Sequence, residues 1–369
     1  MNNKNFEVYF DCGSSKIRAG AFSKEDQDKF FCDETNFFID HSNINLEIQK
    51  IISSLEESTK EYLNDVNLMI DSEDMLSVGI SISKKIDDSE LKKEDIQFLL
   101  QDVKQQVLRN YPSQYITHII INNYIIDNVK YTFLPEKINC DLISLNILFV
   151  CLPKKTVEYF KKIFSKLGIS INQIFCSSYS KSLNYKKNFS MVENISFIDI
   201  GFNKTSISCY NKDEIIFFDV LPIGGNNITK DLSKILNLNM REAENLKVHF
   251  DNNDRFLNEK KISHDLIQQI ILARIEEILE LSTKSIKLNL DNFKEYKMIL
   301  MGEGSKILHN KYKENISLLN DIDLLEETVE DICQSASNQN GRLNKQEVVI
   351  IPKKQIKQGF FEKLFHFFS

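Results

Sequence analysis

The chain has 369 residues, an apolar fraction of 42% and a formal net charge of −7. That length holds two or three compact domains with sizeable cores, and the acidic balance argues against general nucleic-acid binding by the body. The seven cysteines (Cys12, Cys32, Cys140, Cys151, Cys176, Cys209 and Cys333) include no C-x-x-C pair, and the six histidines show no metal spacing. Reduced, buried thiols are expected, not a disulfide frame or a zinc site.

Taken from the start, "MNNKNFEVYF" lacks the basic flank and apolar length of a secretory leader. The stretch "FEVYFDCGSSKIRAGAF" then predicts two strands joined by a turn at Gly13, Ser14 and Ser15. "KKEDIQFLLQDVKQQVLRN" has apolar residues at helical period, and "ITHIIINNYIIDN" reads as a strand. The longest apolar run, "LISLNILFVCL", is about half what a bilayer span needs. Asp141 and Pro153 bound it, which suits a buried strand.

The hairpin pattern returns in "ISFIDIGFNKTSISCY", with its turn at Gly201, Phe202 and Asn203. In both, an Asp ends the first strand and a Gly follows two residues on: Asp11/Gly13 and Asp199/Gly201. Two such hairpins in the two halves of one chain suggest an internal duplication. A long helix is expected over "DLIQQIILARIEEILELSTKSIKL". After it, "EYKMILMGEGSKIL" predicts a strand, a small-residue turn at Gly302-Glu303-Gly304-Ser305 and a helix start. Small residues at such a turn let a ligand approach the backbone.

The hairpins suit phosphate chemistry. Successive turn N–H groups and hydroxyls form a concavity for phosphate oxygens. Asp11 and Asp199 can orient a hydrated Mg²⁺, which keeps several of its waters, and Lys16 can neutralise phosphate charge. The alternative is two plain hairpins with Asp as a turn residue.

These landmarks, in this order, resemble the actin-like ATPase superfamily and, within it, the FtsA family. "VLPIGGNNITKDLSKILNLNMREAENLKVHF" carries the most specific likeness, and "LFVCLPKKTVEYFKKIFSKLGISINQIFCSSYSKSL" and the "THIIINNYIID" strand follow the family pattern. The resemblance implies an α/β, duplicated actin-like (ribonuclease-H-like) fold with an inserted SHS2-type subdomain and a C-terminal amphipathic helix. It assigns 1–80 and 165–192 to a first actin-like subdomain, 81–164 to the insert, and 193–225 with 296–337 to a second actin-like subdomain. A smaller subdomain that binds FtsZ follows at 226–295, then a linker over 338–358 and the helix over 359–369.

The resemblance also implies ATP and Mg²⁺. The first hairpin would contribute Asp11, Gly13, Ser14, Ser15 and Lys16, and the second Asp199, Gly201, Asn203, Lys204 and Thr205. Gly225, Glu244 and Lys247 would meet the nucleoside, as would Gly302, Gly304 and Ser305, with Asp11 and Asp199 holding the metal through water. Departures from the family pattern stand at Phe202, Asn203, Ser206 and Glu303; the bulky Phe202 predicts a reshaped second loop. No base to activate water stands out, so slow or absent hydrolysis is expected and no residue is assigned as catalytic.

Beyond the polar, Lys-rich stretch "SNQNGRLNKQEVVIIPKKQIKQ" comes "GFFEKLFHFFS". At 100° per residue, Phe360, Phe361, Leu364, Phe365, Phe367 and Phe368 fall within an arc of about 160°. Lys363, Glu362 and His366 take the remainder. Such a helix lies in the plane of a lipid interface, and Lys353, Lys354 and Lys357 add attraction to anionic headgroups. The expected protein is a peripheral scaffold on the cytoplasmic face of the cell membrane at the division site. It would link FtsZ filaments to lipid, polymerise with itself, contact other division proteins, and present Arg274 to the acidic FtsZ tail. A PilM-type pilus-assembly adaptor and, further off, a sugar kinase of the same superfamily are the alternatives.

Overall fold

In the computed structural model, which describes residues 5–26, 28–36, 44–249, 257, 260, 262–290, 296–308 and 322–341, two five-stranded sheets share one connectivity. The first runs β3 (Phe30–Asn36), β2 (Lys16–Ser23), β1 (Phe6–Cys12), β4 (Asp65–Ile70), β9 (Ser170–Cys176). The second runs β12 (Glu214–Leu221), β11 (Thr205–Asn211), β10 (Asn194–Ile200), β13 (Lys297–Met301), β14 (Ile322–Leu324). In each, a three-stranded antiparallel meander passes into two parallel pairings. The duplicated actin-like fold is present, one lobe per sheet.

The parallel strands read as continuous apolar runs because helices cover both faces. On the first lobe, α1 (Ile44–Thr59) buries Ile44, Ile48, Ile51, Ile52 and Leu55, an i, i+4, i+7 stripe. On the second, α7 (His264–Asn289) buries Ile267, Ile271, Ile275, Ile278 and Ile286 against α5 (Gly225–Leu236) and the β11–β12 hairpin. Each fully buried aliphatic of this size contributes roughly 1.5–3 kcal/mol. Six of the seven cysteines are buried and all are free thiols. Burial pushes the Cys151 thiol up to about 12.

A third sheet, β5 (Leu76–Glu90), β8 (Asn139–Pro153), β6 (Gln114–Ile126), β7 (Val129–Tyr131), is antiparallel throughout and carries α2 (Lys93–Asn110). Its core takes in Leu99, Val103 and Val107 of α2. This inserted unit begins at 76 rather than 81 and ends at 153 rather than 164. The next helix, α3 (Lys154–Lys166), belongs to the first lobe, where Phe164 meets Phe10 with ring centroids 5.2 Å apart. The insert touches both lobes. The backbone N–H of Cys176 donates to Nε2 of buried His118 on β6 at 2.8 Å, while Ser77 donates to the Phe218 carbonyl and Lys130 pairs with Glu214 at 2.8 Å, both on β12.

The last described helix, α8 (Val329–Gly341), also departs from expectation. It follows the second lobe in sequence but packs on the first, with Ile332, Cys333 and Ala336 against Tyr9, Phe22 and Phe175. It also runs past 338, where the linker was expected. Among the described residues no helix is long and apolar enough to cross a membrane. The expected tail, with Phe360, Phe361, Lys363, Leu364, Phe365, Phe367 and Phe368, lies outside the described residues.

Candidate functional site

The two hairpins face each other across the cleft between the lobes, and their backbones match. The Gly13 N–H donates to the Lys16 carbonyl at 3.0 Å, and the Gly201 N–H to the Lys204 carbonyl at 2.8 Å. Phe202 is not among the residues at positive φ. The second loop is therefore not reshaped; a Gly-closed turn of this form accepts a bulky side chain at its second position.

What differs is the register. Asp11 lies opposite Arg18, and Asp199 lies opposite Ser206. Asp11 thus finds a cation on its own hairpin, Arg18 Nη1 at 2.9 Å, and accepts from Ser177 Oγ at 2.7 Å. Asp199 has Ser206 in that place, and its ion-pair partner is Lys181 Nζ at 2.8 Å, from α4 (Ser177–Lys186) of the other lobe. Lys181 also lies 3.2 Å from Oε1 of Glu327, whose Oε2 accepts the Gly302 N–H at 2.8 Å. Lys204 of the second hairpin in turn reaches across to Asp71 at 2.9 Å. Arg18 and Lys16 of the first lobe meet Glu303 of the second at 2.7 and 3.5 Å.

Burial would push the Asp199 carboxyl up, but Lys181 and Lys204 outweigh it and hold it below the usual range. For Glu327 burial wins and its carboxyl is raised despite Lys181. Glu303 is desolvated too, yet Arg18, Lys306 and Lys16 bring it down to about 2. Asp199, Glu327 and Asp11 keep the Lys181 ammonium charged against its burial.

The remaining sequence-assigned residues divide. Ser14 is exposed at the cleft and Ser15 half-buried beside it. Thr205 donates to the Ile223 carbonyl at 2.7 Å, Ser305 to the Gly302 carbonyl at 2.7 Å, and Asn203 accepts from Asn226 at 3.0 Å, so these side chains serve the lobe itself. Gly302 has φ +93°, and a Cβ there would stand 2.3 Å from Asp199 Oδ1. That position requires glycine, and it seats the Gly302–Gly304 turn on the end of β10.

Glu244 and Lys247, on α6 (Met240–Val248), form neither a surface pair nor a free one. They bind each other at 2.7 Å, Thr229 donates to Glu244, and Lys247 donates to the Gly225 carbonyl at 3.1 Å while standing over the Phe202 ring. Burial lowers the Lys247 ammonium, with Glu244 opposing. The start of α5 is spent as well: the Gly225 and Asn226 N–H groups donate to the Gly201 and Phe202 carbonyls at 2.9 and 2.7 Å. The strand before α5, β12, is an edge strand of its sheet. Arg274 on α7 is bound to Asp231 at 2.6 Å and to Glu277.

The innermost space between the hairpins is about 80 Å³, and a cavity of about 400 Å³ that shares Gly13, Ser14, Asp71, Asn203 and Lys204 lies beside it, the second within the roughly 300–1,000 Å³ of a ligand site. Asp11 and Asp199, the two expected metal carriers, are each engaged by a cation of the chain. Among the described residues no group of three or more His, Cys, Asp or Glu is placed to hold a metal ion. The carboxylates therefore do not fit a hydrated Mg²⁺ in this arrangement, and no chemical step is derived through one. Sequence reasoning missed Lys181, Arg18, Asp71, Ser177 and Glu327. Two of them, Ser177 and Lys181, were hidden in plain polar sequence: "SSYSKSLNYK" reads as a surface helix, yet eight of its ten residues are buried in the fold, and a buried polar helix implies partners.

Duplicated five-stranded lobes facing one another through Asp-x-Gly hairpins define the class: an actin-like ATPase fold. A chain of the solved PilM–PilN type IV pilus biogenesis complex shares that fold at TM-score 0.63, with 12% identity over 89% of this chain and 90% of its own. Residues 196–352 match the family model for cell division protein FtsA. Cell division protein FtsA of Neisseria meningitidis serogroup B is 25% identical over 62% of this chain and 61% of its own length. FtsA of Buchnera aphidicola from Acyrthosiphon pisum is 23% identical over 89% of this chain and 87% of its own. The resemblance to FtsA read from the motifs is thus borne out.

Proposed function

We propose that the protein acts in cell division as an FtsA-like scaffold, linking FtsZ filaments to the cytoplasmic face of the cell membrane. The observation that carries this is the FtsA family match over 196–352, the stretch that contains α5, α6 and α7. In this reading the 76–153 unit is the SHS2-type insert, the smaller unit of the second half receives the FtsZ tail peptide, and copies of the chain assemble with one another. The aromatic tail face inserts among lipid headgroups. Arg274 would meet the acidic peptide by exchanging Asp231 or Glu277 for a peptide carboxylate, an exchange of roughly equal ion pairs that adds selectivity more than affinity. ATP with Mg²⁺, which the resemblance implies, is not part of this reading, because Asp11 and Asp199 are each held by a cation of the chain. Linkage, not turnover, is the chemistry.

The test is capture of the full chain on an immobilised FtsZ C-terminal peptide, with co-sedimentation on anionic phospholipid vesicles. Peptide capture and vesicle binding are both expected, the second lost on deleting Phe360 to Ser369. A chain that ignores the peptide removes the FtsZ link; undiminished sedimentation of the truncated chain removes the anchor.

A further inference from the structure

The floor of the cleft is an ion-pair lattice that crosses from lobe to lobe. Five of its contacts join the halves: Lys181 to Asp199 and to Glu327, Lys204 to Asp71, and Arg18 and Lys16 to Glu303. Lys181 is one of three buried cations there, with Arg18 and Lys204. Its side chain is 9% exposed and sits between Asp199 and Glu327, at 7% and 4%. Two buried carboxylates converging from one lobe on a single point are what a divalent cation would ordinarily hold. Here the point is filled by an ammonium delivered from the other lobe.

We infer that Lys181 is a built-in substitute for the cleft cation: its ammonium neutralises Asp199 and Glu327 from across the cleft and holds the lobes closed without a divalent metal. An ammonium and a hydrated divalent ion both cancel converging carboxylate charge, but only the ammonium is tethered. It costs no binding equilibrium and cannot be chelated away. It is also a point charge with three donors, which suits Asp199, Glu327 and the crowded lobe boundary, and leaves none of the room that several bound waters need.

The charge around it is consistent. The cleft presents Asp11, Asp71, Asp199, Glu303 and Glu327 against Lys16, Arg18, Lys181 and Lys204, five carboxylates to four cations. Every one of those cations is in an ion pair, so none is held in reserve for the phosphates of a metal-bound nucleotide. This inference is independent of the FtsZ and membrane links, which can hold or fail without it.

Thermal unfolding of the full chain tests it, with Mg²⁺ or Mn²⁺ alone, and with ATP in the presence of Mg²⁺ or of EDTA. The wild-type midpoint is expected to be the same in all four conditions. The Lys181→Ala chain is expected to melt lower and to recover by several degrees with Mn²⁺ or Mg²⁺, as a site vacated between Asp199 and Glu327 becomes a metal site. Saturating a ligand site at about 100 times its Kd shifts the midpoint of a chain of this length by about 3–4 °C. A wild-type shift of that size with Mg-ATP, abolished by EDTA, overturns the inference. So does a folded Lys181→Ala chain with no metal response. Should that variant fail to fold, the wild-type comparison with and without EDTA decides alone.

Discussion

The two hairpins have the same backbone and opposite electrostatic arrangements. Asp11 is matched in register by Arg18 and is neutralised within its own lobe, with Glu303 and Glu34 also around the guanidinium. Asp199 faces Ser206 and takes its cation from the other lobe. A duplicated fold thus copies geometry without copying charge pairing. One cross-strand position, Arg18 against Ser206, turns a local ion pair into one that binds the halves together.

Swapping the charge on each side is the strongest way to break this comparison. Asp199→Asn leaves Lys181 buried with only Glu327, and removing one partner of a buried pair costs about 3–5 kcal/mol. Asp11→Asn leaves Arg18 still bound to Glu303 and is expected to cost less than half as much. Urea unfolding of the two variants measures the difference, and equal losses would mean that the register contrast carries no energy.

Next in size is Gly224→Ala. A Cβ at 224 would stand 2.7 Å from both the Gly201 and the Phe202 carbonyls, so α5 must back away from the second hairpin. A cost of about 1–3 kcal/mol is expected, while Gly79→Ala, with open space around it, should change urea stability by less than about 0.5 kcal/mol. If both are silent, the contact between α5 and the hairpin is not tight.

The smallest expected effect is in acid. Glu303 titrates at about 2 in the folded chain against 4.5 for the ordinary side chain. Its stabilisation is therefore complete above about pH 4.5 and is lost as pH falls toward 2. Discounted for its partial exposure, the loss is about 1–2 kcal/mol. Glu303→Gln should remove that part of the acid slope; an unchanged slope would place the acid sensitivity elsewhere.

Much of the fold could be read in advance because it is written in periodicity. The stripes of α2 and α7, the apolar run of β8 and the paired D-x-G turns each reflect one face of one element, whereas the α1 stripe went unread. The site was less legible, because its chemistry depends on which elements meet. Nothing in "SSYSKSLNYK" announces that Lys181 lies beside Asp199, eighteen residues on and in the other lobe. Glu244 and Lys247 were expected to meet a nucleoside, but the carbonyl and hydroxyl that occupy them come from α5. Phe202 was expected to distort its loop, and the turn proved to need no positive φ there. The α8 helix was assigned by sequence neighbourhood and instead crosses to the partner lobe.

The insert's grip on both halves has a mechanical consequence. His118 is fastened to the strand end that leads directly into Ser177 and so to Asp11, while Ser77 and Lys130 are fastened to the outer strand of the opposite half. Prising the jaws apart would strain those fastenings on the same stroke as the Lys181 latch. A load applied to the insert, as from a neighbouring molecule in a row, would be felt at the cleft floor as a torque.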